Sequence, residues 1–143
     1  ELFEFFFTGF STIESFSYAL FSLGSFLNGT QFPMDTNALR RISPKHTTEI
    51  FESAYPRHAL TILLRTMIDS AEYQEWKKFR NILAHRLTPG RHTKSIQSTH
   101  TSTRWQMDQI LIDSTLTTVR ITWLSDIVKQ LMERTDRFTS GKF

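Results

Sequence analysis

The stretch ELFEFFFTGFSTIESFSYALFSLGSFL, residues 1–27, decides the fold. Its apolar residues fall at Phe3, Phe6, Phe7, Phe10, Ile13, Phe16, Leu20, Leu23 and Leu27. Steps of three and four place them on one face of a long helix; a half-buried strand would need steps of two. Nine of the thirteen Phe residues lie in the first 32 positions, so this helix is expected to supply core or subunit packing. Asn28-Gly29 then stops it. A membrane-spanning helix wants about 20 nearly uninterrupted apolar residues, and Glu4, Glu14 and the scattered Ser and Thr break that run. The basic start and small-residue cleavage site of a secretory signal are also lacking. No membrane association and a cytoplasmic location are therefore expected. Glu14 and Tyr18 interrupt the helix at i, i+4 spacing, and the sequence leaves open whether they face a cleft or the surface.

Working outward, the remaining segments also read as helices. Asp35 is placed to cap a short helix running through Ile42. Ser43-Pro44 marks another start, with Pro at the first helical position and a break after Tyr55 at Pro56. A helix is expected from about His58 to Ile68, and another from about Ser70 to Leu87, with Asp69 and Glu72 resembling a capping box. Thr88-Pro89-Gly90 ends it. The stretch from Thr88 onward is poor in apolar residues and reads as an exposed basic loop over about 88–104. The last helix is expected over about Arg104 to Asp136. Its seam is Ile110, Ser114, Thr117, Ile121, Leu124, Val128 and Leu131. No strand pattern stands out. The expected fold is all-α: one domain over 1–143, an antiparallel bundle of four or five helices.

Composition narrows the chemistry. There is no cysteine, which rules out a disulfide scaffold, a thiolate metal site and a cysteine nucleophile. No Gly-rich phosphate loop is present, and His85, His92 and His100 lack the spacing of a zinc helix. Neither a metal nor another cofactor is expected. Glu72 and Glu75, one turn apart, read as a solvated face. The net charge of +3 is small, but its distribution is uneven. Between Lys77 and Met107 there is no acidic residue, while Lys77, Lys78, Arg80, Arg86, Arg91, Lys94 and Arg104 all fall there. A local positive field of this kind attracts phosphate.

One constellation lies just before the basic segment: Glu75-Trp76-Lys77-Lys78-Phe79-Arg80-Asn81-Ile82-Leu83-Ala84-His85-Arg86. At 100° per residue Asn81 and His85 are about 40° apart on one helical face, and Arg80 about 140° from His85 with a side chain long enough to swing back. Phe79, Ile82 and Leu83 supply the buried side. This stretch resembles the signature of the HEPN superfamily, small helical domains whose motif is an Arg, four to six residues and a His, often with a polar residue after the Arg. Here it reads Arg80-Asn81-Ile82-Leu83-Ala84-His85. The resemblance is specific over residues 75–86 and extends to the whole chain as a helical domain of suitable size. Arg41 and His46 have the same spacing, and Arg86 and His92 one residue more, but Pro44 and Pro89-Gly90 keep both pairs off a continuous helix.

The resemblance implies a HEPN-like bundle. It also implies either a metal-independent endoribonuclease that works as a homodimer, in a toxin or defence setting with a cognate antitoxin, or a catalytically silent module that binds nucleotide, RNA or protein. The residue types fit the first. Cleaving RNA without metal needs a base for the 2′-hydroxyl proton, an acid for the leaving oxygen and positive charge for the phosphate. A His with an unperturbed pKa of about 6.5 serves as acid or base near neutrality. Arg remains charged and offers forked donors. Arg80, Asn81 and His85 are thus the candidate catalytic set, with two His85 side chains facing each other across a dimer axis. Arg86, Arg91, Lys94 and Arg104 are the candidate contacts to single-stranded RNA, and Trp105 a stacking or packing aromatic. A plain helical oligomerisation domain, using the Phe-rich first helix, is the third reading.

Overall fold

Free backbone N–H groups at a helix start need an acceptor, and the chain supplies one at each boundary described below. In the computed structural model, residues 2–84, 90–95, 101–107 and 110–141 are described. They form helices α1 (Leu2–Leu27), α2 (Thr36–Leu39), α3 (Pro44–Ala54), α4 (Ala59–Asp69), α5 (Ala71–Ala84) and α6 (Ser114–Ser140), and strands β1 (Gly90–Ser95), β2 (Thr101–Met107) and β3 (Ile110–Ile112). The Asp35 carboxylate accepts from the Asn37 and Ala38 N–H groups, and the Ser43 hydroxyl from that of His46. His58 Nδ1 accepts from Leu60 N–H at 3.1 Å, and Asp113 from Leu116 N–H at 2.9 Å.

Three boundaries correct the sequence reading. The short second helix ends at Leu39 rather than Ile42. The start of α5 is capped by Ser70, whose hydroxyl accepts from Tyr73 N–H at 3.2 Å. Asp69 closes α4 instead and pairs with Arg65 at 3.7 Å. The largest correction falls between the bundle's fifth and sixth helices. In place of an exposed loop over 88–104 and a helix from Arg104, an antiparallel three-stranded sheet with order β1-β2-β3 occupies the described residues. Arg91 lies opposite Trp105 and Trp105 opposite Ile112. The physical reason is local: Trp105 and Met107, then Ile110 and Ile112, are spaced by two, and Thr at 93, 101 and 103 favours extended backbone. With Asp113 available as a cap, α6 starts after it. The body remains a helical bundle, with this sheet added to it.

In the body, α1 packs on α5, α3 and α6, while α4 packs on α3, α5 and α6. The expected apolar face of α1 holds: Phe6, Phe10, Ile13 and Leu20 are buried, whereas Phe7 is partly exposed. On α6 the buried positions are Leu124, Ile127, Leu131 and Phe138, so the observed face is rotated from the expected seam and leaves Ile121 exposed.

Aromatic contacts gather at the two halves of α1. Toward its N-terminus, Phe6 meets Trp76 and Phe79 edge-on at 5.0 and 4.7 Å, and Phe5 stacks on Trp76 at 5.1 Å. Toward its C-terminus, Phe21 meets Phe32 at 5.4 Å, Phe32 meets Phe51 at 5.0 Å, and Phe51 meets Phe138 at 5.8 Å. Each half also has a glycine beneath an aromatic ring. A Cβ at Gly9 would lie 2.5 Å from the Trp76 ring, and one at Gly24 would lie 2.6 Å from Phe32. Glycine costs a helix roughly 0.5–1 kcal/mol relative to alanine. Overpacking a core costs about 1–3 kcal/mol, so the close approach outweighs the helical penalty.

Candidate functional site

Helix α5 turns Tyr73, Trp76, Phe79 and Leu83 into the core, at steps of three and four. That register leaves Arg80 half-buried at the edge of the α1–α5 contact and Asn81 exposed. The Arg80 guanidinium is held from two sides. Its Nη2 donates to Glu14 Oε1 of α1 at 3.3 Å, and its Nη1 donates to Asn81 Oδ1 at 3.3 Å. Its central carbon lies 5.8 Å from the ring centres of both Phe7 and Phe10. Its buried Nε has no hydrogen-bond partner among the described residues.

The Glu14 and Arg80 side chains keep 37% and 31% of their exposure, so the pair contributes at most about 1 kcal/mol to stability. Its effect is geometric: it fixes where the cation sits. Glu14 was legible only as an interruption of an apolar face; the structure makes it the acidic partner of Arg80. Beside it, Tyr73 is buried with its ring 5.6 Å from that of Phe10. Burial, and secondarily the Glu14 charge, push the Tyr73 hydroxyl up to about 12.

Of the sequence-derived catalytic set, Arg80 and Asn81 are thus in contact, while His85 lies outside the described residues, as does Arg86. Arg91 and Lys94 stand on β1 and Arg104 on β2, with Lys94 opposite Ser102 and Arg104 opposite His92; their side chains lie outside the described residues. Trp105 is a residue of the central strand, not of a helix start.

Glu75 also departs from expectation. Rather than facing solvent, its carboxylate pairs with Arg120 of α6, the two side chains keeping 18% and 16% of their exposure. This largely buried pair ties α6 to α5 five residues before Arg80. Farther away, Arg65 of α4 donates to Glu52 of α3 from Nε at 2.7 Å and from Nη2. Those hydrogen bonds hold the Glu52 carboxyl below its ordinary value and raise the Arg65 guanidinium further.

An apolar groove of about 490 Å³ between α1 and α6 is lined by Thr12, Ile121, Leu124, Val128 and Met132 among others. Thr12 and Glu14 are about 200° apart on α1, so this groove opens away from Arg80. No helix among the described residues is long and apolar enough to cross a membrane. Comparison of the chain with family models, with curated proteins and with solved structures found no match.

Proposed function

We propose that this chain is a metal-independent endoribonuclease of HEPN type, acting as a homodimer on single-stranded RNA in a toxin or defence system with a cognate antitoxin. The observation that supports this reading most is the held guanidinium of Arg80. It stands five residues before His85, and its position is set by Glu14, Asn81 and two Phe rings. A cation whose place is fixed before substrate arrives needs no reorganisation to stabilise developing charge on phosphate. In this reading Arg80 contacts a non-bridging phosphate oxygen. His85 of one protomer takes the 2′-hydroxyl proton, and the histidine of the second protomer protonates the leaving 5′-oxygen, giving a cyclic phosphate end. Asn81 orients Arg80. Positions Arg86, Arg91, Lys94 and Arg104 attract the strand with little sequence selectivity.

A second reading, the catalytically silent HEPN-like module, has its own supporting observation. The contact of Glu14 with Arg80 Nη2 occupies a donor that phosphate would use. One experiment separates the two: RNA cleavage by the purified chain in excess EDTA, with His85→Ala and Arg80→Ala alongside. Cleavage by the native chain that is lost in both variants supports the nuclease. Tight RNA binding with no cleavage by the native chain supports the silent module.

A further inference from the structure

The second Arg and His with this spacing, Arg41 and His46, line one pocket, although they do not share one helix. Arg41 precedes α3, the chain turns at Ser43-Pro44, and His46 lies in the first turn of α3. Both line a pocket of about 430 Å³ together with Phe21, Gln31, Asn37 and Ile50. That volume is within the range of small-molecule sites, about 300–1,000 Å³. The His46 ring lies near-parallel to Phe21 of α1, 6.2 Å away at 24°. The pocket's carboxylate, Asp35, is engaged by the backbone N–H groups of α2. Of its other lining residues Arg41 carries a fixed charge, and Gln31, Asn37, Phe21 and Ile50 complete the lining.

This pocket and the Arg80 cluster share one face of α1. From Glu14, Tyr18 is about 40° around the helix, and Phe21 a further 60° back. The rise from Glu14 to Phe21 is about 10 Å, a span of a few nucleotides. Along α1, between Glu14 and Phe21, stands Tyr18, 45% exposed and available as a stacking surface. We infer that this strip is a strand path. A single-stranded RNA bound at Arg80 continues along α1, stacks a base on Tyr18 and places a further nucleotide in the Arg41–His46 pocket. Phosphate lies on Arg41, and the base lies against half-buried Ile50, beside Gln31 and Asn37, with Phe21 forming the buried floor beneath. The inference rests on the single-stranded RNA reading above and extends it to a specific track.

The test uses the full chain and a fluorescein-labelled 2′-O-methyl octauridylate, which cannot be cut because its 2′-oxygen is blocked, with affinity read by fluorescence anisotropy. Tyr18→Ala is expected to weaken binding about tenfold or more, the loss of one base stack, while Tyr18→Phe restores it. Arg41→Ala is expected to weaken binding and flatten its salt dependence by about 0.7 in the logarithmic slope. His46→Ala weakens it as well. Binding by the native chain that is unchanged in either the Tyr18→Ala or the pocket variants overturns the track and leaves the nuclease reading standing. Neither binding nor cleavage of any single strand by the native chain overturns both.

Discussion

The two halves of α1 are built alike and engage their partners differently. Each half has a glycine pressed beneath an aromatic ring, Gly9 under Trp76 and Gly24 under Phe32. Each also lies near an arginine that precedes a histidine by five positions. In the N-terminal half Arg80 is on a helix, flanked by Phe7 and Phe10 and held by Glu14. In the C-terminal half Arg41 is exposed in a turn, and it is the histidine, His46, that stacks on α1. One spacing therefore yields two arrangements, because the backbone between the residues is helical in one case and turned by Pro44 in the other. The spacing of a motif acquires chemical meaning only through the local conformation that carries it.

The largest expected effect breaks the comparison at its N-terminal end. His85→Ala and Arg80→Ala should each lower RNA cleavage about 10²–10⁴-fold, the usual scale for losing a general acid–base group or a phosphate cation, as read from initial rates in EDTA. Next, truncating the aromatic over each glycine tests whether both halves bear equally on the fold. Trp76→Ala and Phe32→Ala should each cost about 3–5 kcal/mol, measured by urea unfolding; a much smaller loss at Phe32 would make the N-terminal half the dominant one.

Tyr73 sharpens the N-terminal side. Its folded-state value is raised above the ordinary 10, so its contribution is fully present below pH 10 and is lost as pH rises toward about 12. That loss is roughly 2–3 kcal/mol, and Tyr73→Phe should abolish the alkaline decline across that window. Gly9→Ala and Gly24→Ala should each be destabilising by about 1–3 kcal/mol in spite of alanine's better helix propensity.

The smallest effect lies outside α1. Glu52 is lowered from 4.5 by its hydrogen bonds to Arg65, so its contribution is present above pH 4.5 and fades as pH falls through the lowered value. The Tm gap between the native chain and Glu52→Gln should close on acidification.

What could be read from the sequence was local. The face of α1, the Asp35 and Ser43 caps and the break after Tyr55 follow from residues within a turn or two of one another. The capping role of Ser70 was missed because Asp69 next to it carries an equally good acceptor, and only the geometry at the end of α4 chooses between them. The sheet was missed because its period-two signal is spread over short segments rich in Thr and Ser, with a helical seam overlaid on Ile110. The contact that defines the site, Glu14 with Arg80, joins residues 66 positions apart, and that of Glu75 with Arg120 joins two helices that the strands separate along the chain. Pairings at that separation depend on how the helices pack, which periodicity does not encode.

The place of Trp76 has a practical consequence. This indole is buried, one turn before Arg80, stacked on Phe5 and set against Phe6. Its emission wavelength therefore registers how closely α1 sits on α5 beside the site. With Trp105 and Trp123 replaced by phenylalanine, intrinsic fluorescence becomes a label-free optical readout of that junction, and a red shift on adding RNA would time any parting of the two helices.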